Sequence, residues 1–134
     1  MTQSQFGKFT IGNNNMPDIL VIDDSPTIRS MVTKILEENG HEIREAENGA
    51  EALKILEEFR PDVCVCDVEM PEMDGYSLLR KVRAREELKD MPFLILTAKG
   101  KLSDMFHMEG ATDFVEKSPE AFQTVQKKIE SLLG

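Results

Sequence analysis

Four apolar runs in this chain end on residues that can do chemistry. "DILVID" (18–23) ends on Asp23, with Asp24 next; "PDVCVCD" (61–67) ends on Asp67, with Glu69 two positions further on. "MPFLILTA" (91–98) carries Thr97 at its close, and "ATDFVEK" (111–117) ends on Lys117. Three carboxylates delivered to one place would repel one another, and partial burial would raise their pKa values. A hard divalent cation removes the conflict, and Mg²⁺ favours carboxylate and carbonyl oxygens while keeping several waters. A hydroxyl and an ammonium beside them complete a set suited to phosphoryl transfer: nucleophilic carboxylate, metal, hydroxyl donor and cation. Each residue alone has a plainer use. Asp24 could serve the helix start near Ser25, Asp67 could be an accidental strand-end acid, Thr97 could be a cap, and Lys117 could be a solvated charge. Their convergence is what argues for chemistry, and convergence is a property of the fold.

The runs that carry these residues alternate with helical patterns. "DILVID" is short and apolar, as in a strand buried on both faces. "SPTIRSMVTKILEENG" follows, with Ser25 as N-cap, Pro26 at the first helical position and Gly40 as the stop. Ile28, Met31, Val32, Ile35 and Leu36 form its inward stripe. "HEIREA" is a more polar strand nearer an edge, and "NGAEALKILEEF" is a second helix. "PDVCVCD" is the third strand, "GYSLLRKVRAREEL" the third helix and "MPFLILTA" the fourth strand, with Pro92 where a missing N–H is tolerated. "LSDMFHMEG" reads as a short fourth helix, Leu102, Met105 and Phe106 inward and His107 and Met108 outward. "ATDFVEK" is a fifth strand. "SPEAFQTVQKKIESLL" closes the chain, with Ser118 as N-cap, Pro119 at the first helical position, and Phe122, Val125, Ile129 and Leu132 inward.

Five strands alternating with five helices predict an α/β fold, a parallel sheet covered on both faces and joined by right-handed crossovers. The common doubly wound order for five such units is 2-1-3-4-5, flavodoxin-like, with ligands at the carboxyl ends of the first and third strands. Those strands end in Asp23-Asp24 and Asp67. The pattern therefore sends the acids, Thr97 and Lys117 to one edge.

Composition narrows the function classes. A length of 134 residues is expected to make one domain, and a 40% hydrophobic share is ample for its core. The formal charge of −9 argues against nucleic acid, which requires a basic face. It fits basic protein partners or bound cations. The two cysteines, Cys64 and Cys66, point to the same face of one extended strand, which disfavours a mutual disulfide. Two buried thiols in a reducing cytoplasm are expected instead. No apolar stretch reaches the length of a membrane span. Residues 1–17 are polar and aperiodic and read as a flexible leader before a domain over residues 18–134.

"VIDDSPTIRSMV", "VCVCDVEMPEMDG", "LILTA" and "GATDFVEK" together resemble the receiver (response-regulator) domain of two-component signalling, of the stand-alone chemotaxis-regulator type. The resemblance spans about Pro17 to Gly134, with the acids, Thr and Lys in the family's order. It implies that Asp67 accepts a phosphoryl group from a histidine kinase or phosphotransfer protein. It implies that Asp24 and Asp67, with the backbone carbonyl of Glu69, bind Mg²⁺, and that Asp23 acts mainly through water. Thr97 and Lys117 would contact the phosphoryl oxygens, and Phe114 would occupy the aromatic switch position. Glu69 and Lys99 would flank the route of the hydrolytic water. The protein would be a phosphoacceptor signalling protein rather than an enzyme, promoting its own phosphorylation and dephosphorylation. A downstream protein target is implied but not named. A cytoplasmic monomer or a weak phosphorylation-dependent dimer is expected.

Three features depart from the family pattern. The chain between Thr97 and Gly110 is shorter than the family's usual spacing. The usual Lys-Pro pair is here Lys117-Ser118-Pro119, and Phe114 lacks the hydroxyl of the commoner Tyr. Other readings share the fold or part of the site. A flavodoxin-like electron carrier needs a Ser/Thr/Gly-rich phosphate loop where "DDSP" stands. A haloacid-dehalogenase-type phosphatase has its paired acids after the first strand, whereas "DVE" follows the third. The main competitor is a receiver-like interaction module that works without phosphorylation.

Overall fold

The computed structural model describes residues 17–98, 110–118 and 120–133. The expectations for the leader (1–16), for the fourth helix with Leu102, Met105, Phe106, His107 and Met108, and for Lys99 and Pro119 lie outside these residues. Within them the chain runs β1 (Asp18–Ile22), α1 (Pro26–Glu38), β2 (Glu42–Ala46), α2 (Gly49–Leu56), β3 (Val63–Asp67), α3 (Gly75–Arg83), a 3₁₀ turn (Glu86–Leu88), β4 (Phe93–Thr97), β5 (Asp113–Glu116) and α4 (Ala121–Leu133). All strand pairs are parallel, in the order β2-β1-β3-β4-β5. This is the predicted 2-1-3-4-5 doubly wound sheet, with the polar strand at an edge.

Alternate residues of each strand face opposite layers, so two cores form. Leu20, Ile22, Cys64, Cys66, Phe93 and Ile95 pack against α2 and α3 through Leu56, Leu78, Leu79 and Val82. Ile19, Val21, Val63, Val65, Leu94 and Leu96 pack against α1 and α4 through Val32, Leu36, Val125 and Ile129. Both cysteines are buried, as their alternation predicts, and neither forms a disulfide. Ser25 caps α1, its side chain accepting from the Ile28 N–H at 3.2 Å. Asn48 and Asp74 cap α2 and α3 in the same way.

Two local expectations are corrected. The buried stripe of α1 runs through Val32, Thr33 and Leu36, while Met31 is 44% exposed. Thr33 shares the side of the helix that carries Arg29 toward β2, and this side closes against the sheet; an apolar pattern alone does not say which flank does so. The third helix stops at Arg83 instead of continuing to Leu88. Arg85 is extended (φ −91°, ψ 128°), and the following 3₁₀ turn folds back to bury Leu88. A continuous helix through the stripe of Leu78, Leu79 and Val82 would turn Leu88 away from the core. The Arg83 guanidinium holds the fold-back by donating to the carbonyls of Leu88 (3.0 Å) and Gly110 (2.8 Å). Among the described residues no helix is long and apolar enough to cross a membrane.

Candidate functional site

Each site residue sits where a strand ends and one further ladder-like bond holds the backbone. The Asp23 N–H donates to the Ala46 carbonyl at 3.1 Å, continuing the β1–β2 pairing past Ile22. The Val68 N–H, just after Asp67, donates to Leu96 O at 3.2 Å, and the Lys117 N–H donates to Thr97 O at 2.7 Å. With these bonds and the β1–β3 pairing of Ile22 and Cys66, the carboxyl ends of β1, β3, β4 and β5 are tied side by side. They face a cleft of about 760 Å³ lined by Asp23, Asp24, Asp67, Glu69, Thr97 and Lys117, with Asp74 and Tyr76 of the α3 start on its wall.

The approach of α3 depends on a glycine. The Gly75 N–H donates to Val68 O at 2.8 Å, and a Cβ at this position would stand 2.7 Å from Asp67 O and 3.0 Å from Val68 Cα. Only a residue without a side chain lets the helix start lie directly on the backbone that carries Asp67.

The electrostatics are those of charges confined together. Asp23 and Asp67 are buried and Asp24 is exposed, yet each offers a carboxylate oxygen within 4.8 Å of the others. Lys117 Nζ lies 2.7 Å from Asp67 Oδ1 and 3.8 Å from Asp23 Oδ2. Burial raises the pKa of Asp67, with the Lys117 ammonium opposing the rise. Burial likewise raises Asp23, opposed by the Ser25 N–H that donates to its Oδ1 at 2.9 Å and reinforced by neighbouring Asp67. For Lys117, burial pulls the pKa down, but the bond to Asp67 and the field of the three acids outweigh it, and the net shift is upward. Asp23 Oδ2 is buried with no hydrogen-bond partner among the described residues. One ammonium thus serves three carboxylates and leaves a buried oxygen unsatisfied. That deficit, with an all-oxygen donor set open to a cleft, fits a small hard divalent cation such as Mg²⁺.

The structure brings Asp23, Asp24, Asp67, Thr97 and Lys117 together. Glu69 is exposed on the loop after β3; Lys99, set opposite it by the sequence reading, lies outside the described residues. Phe114 stands on edge strand β5 paired with Ile95, half-buried against the α2–α3 core. Two contributors escaped the sequence reading. Asp74 was legible as the N-cap before "GYSLL". Arg29, which donates to the Asp23 carbonyl, was not, because its partner depends on which strand lies beside α1.

A doubly wound parallel sheet with a carboxylate cluster, a hydroxyl and an ammonium at its switch point defines a class of small acidic-cleft α/β domains. The family model described as response regulator receiver domain matches residues 19–130, and the chain belongs to that family. Receiver domains are signalling domains of two-component systems. Protein PilH of Pseudomonas aeruginosa is 33% identical over 121 residues, covering 89% of this chain and 99% of that protein. A chemotaxis protein CheY homolog of Campylobacter jejuni is 35% identical over 120 residues, covering 87% and 92%. The crystal structure of response regulator TrrA of Thermotoga maritima, in complex with Mg²⁺-BeF, superposes with TM-score 0.77 at 36% identity, covering 87% of this chain and 99% of that one.

Proposed function

We propose that this chain is a response regulator whose Asp67 accepts a phosphoryl group from the phosphoimidazole of a histidine kinase or phosphotransfer protein. The phosphorylated form then signals by binding another protein. The observation that carries this reading is the Lys117–Asp67 contact of 2.7 Å within a cluster of three acids at the sheet's switch point. An Asp67 carboxylate oxygen attacks phosphorus in line. The O–P bond forms as the P–N bond breaks, and the electron pair of the broken bond departs with the imidazole. Lys117, already on Asp67, passes to a phosphoryl oxygen, and the Thr97 hydroxyl donates to another. The product adds roughly −1.5 to −2 of charge to an acidic site, which is why cationic and hydroxyl donors are drawn to it. Phe114 moves into the space that Thr97 leaves and alters the surface around β5.

Mg²⁺ would be held by Asp24, Asp67 and the backbone carbonyl of Glu69, with Asp23 acting through water, and when bound it supplies positive charge against the phosphoryl oxygens. The protein works as a cytoplasmic monomer or weak phosphorylation-dependent dimer and promotes its own phosphorylation and dephosphorylation. Mass spectrometry after incubation with a small acyl phosphate and Mg²⁺ tests the reading. One phosphoryl group on the wild-type chain, lost in Asp67→Asn, is expected; an unmodified wild-type chain would favour a phosphorylation-independent interaction module. Asp24→Ala, which removes a direct ligand, is expected to weaken Mg²⁺ binding by about tenfold or more in a calorimetric titration. Asp23→Ala should cost less.

A further inference from the structure

We propose that Arg29 is a positioning residue for the metal-binding acids, acting through the backbone of Asp23 and not through its charge. The inference rests on the reading of Asp24 and Asp67 as Mg²⁺ ligands. Arg29 lies one turn inside α1. Its Nη1 donates to the Asp23 carbonyl at 2.6 Å, and its Nε donates to Glu45 Oε1 at 2.8 Å. The side chain is largely buried, at 18% exposure against 40% for Glu45.

Asp23 is consequently held at three points. Its N–H donates to Ala46 O, its carbonyl accepts from Arg29, and its Oδ1 accepts from the Ser25 N–H. The middle contact matters most for the neighbouring residue. The peptide group is planar, so the direction of the Asp23 carbonyl fixes the plane leading to the Asp24 Cα. Asp24 has little else to hold it: it is exposed, and the Lys117 ammonium acts on its carboxylate only through its field. Its aim toward Asp23 and Asp67 is therefore set by backbone, and a charge-assisted hydrogen bond is a strong means of setting it.

Glu45 has two effects on this device. It fixes the plane of the guanidinium by accepting from Nε, and it neutralises the charge, leaving little net field at the acids. A simple α1–β2 brace would use the same contacts but would touch only stability, and then only slightly, as exposed or half-exposed ion pairs do. The two roles separate by measurement. Partners of metal ligands typically alter affinity by about 10–100-fold when removed.

The test uses the full chain as wild type, Arg29→Met, Arg29→Lys and Glu45→Gln. Three quantities are read: Mg²⁺ affinity by calorimetry, melting temperature in EDTA, and the rate of phosphorylation by an acyl phosphate at saturating Mg²⁺. Arg29→Met is expected to raise the Mg²⁺ Kd about tenfold or more, with a much smaller loss of rate at saturation. Arg29→Lys keeps a donor for the carbonyl and should recover part of the affinity. Glu45→Gln still accepts from Nε and should stay close to wild type. Should Arg29→Met fail to fold, Arg29→Gln is expected to show the same loss. Wild-type Mg²⁺ affinity in the folded Arg29→Met or Arg29→Gln variant, with or without a lower melting temperature, would overturn the positioning role alone. A wild-type chain that bound no Mg²⁺ would overturn the underlying metal reading and this inference with it.

Discussion

Asp23 is the residue on which the site's cost is most visible. Its Oδ2 is buried without a hydrogen-bond partner among the described residues, and leaving a buried acceptor unsatisfied costs about 1–3 kcal/mol. Its folded pKa is raised above the ordinary 3.8, chiefly by burial. The folded state therefore holds this proton more tightly than the unfolded chain. Metal-free stability must fall as pH rises from the ordinary carboxylate value through the raised one. Asp23→Asn removes the charge and can donate toward Asp67. In EDTA at pH 7 it should be more stable by about 1 kcal/mol, or about 4 °C in melting temperature. The advantage should shrink on acidification through the carboxylate range. An Asp23→Asn variant that melts no higher than wild type at pH 7 would contradict the account. Saturating Mg²⁺ should narrow the gap, because a cation relieves the same repulsion in wild type.

At the level of elements, the start of α3 and the loop before it decide how Asp67 is presented. A methyl at Gly75 would meet Asp67 O at 2.7 Å and Val68 Cα at 3.0 Å, both backbone atoms that cannot swing aside. Gly75→Ala should cost about 1–3 kcal/mol in denaturant unfolding, as overpacking does. It should also slow phosphorylation by about tenfold or more, since small displacements of a reacting group are expensive. Loss of stability with an unchanged rate would mean that α3 moves and Asp67 does not. Glu72, in the same loop, has φ 68°. A side chain in the left-handed region costs roughly 1–2 kcal/mol, while glycine loses about 0.4–1 kcal/mol through its freer unfolded state. Glu72→Gly should therefore stabilise by about 0.5–1 kcal/mol. Chemical denaturation reads this directly, and a destabilised variant would refute it.

Across the whole molecule, the two sheet faces bury one cysteine-bearing strand completely. Cys64 and Cys66 both have 0% exposure. Burial pushes the Cys64 thiol up to about 12 and the Cys66 thiol well above its ordinary value. The thiolate is the reactive form, so neither should react with a disulfide reagent in the native state. Labelling should proceed only through global opening, at a rate that tracks unfolding free energy across denaturant. Both thiols should react together, and Mg²⁺ bound at the proposed site should slow both equally by stabilising the folded state. Fast labelling of one thiol at zero denaturant would show that β3 opens locally.

Much of this molecule is legible along the chain because the signals are short-ranged. The apolar runs, Ser25 and Pro26 before α1, and the alternation of strand and helix patterns specify each element from its own residues. The acids, Thr97 and Lys117 are legible because each stands at the end of its own strand, and a parallel sheet gathers all such ends at one edge. What the local pattern did not hold was set by contacts between distant segments. The burial of Asp23 beside the exposure of Asp24 depends on neighbouring strands and loops, as does the 2.7 Å contact of Lys117 with Asp67. The exchange of Met31 for Thr33 on the inward side of α1 follows from how that helix rolls against the sheet, a choice that several stripes of similar polarity permit. The break after Arg83 answers to Leu88 reaching the core and to carbonyls at Leu88 and Gly110. Arg29 belongs to the same group: periodicity can place it on α1, but only the packing of α1 against β1 and β2 turns it onto the Asp23 carbonyl.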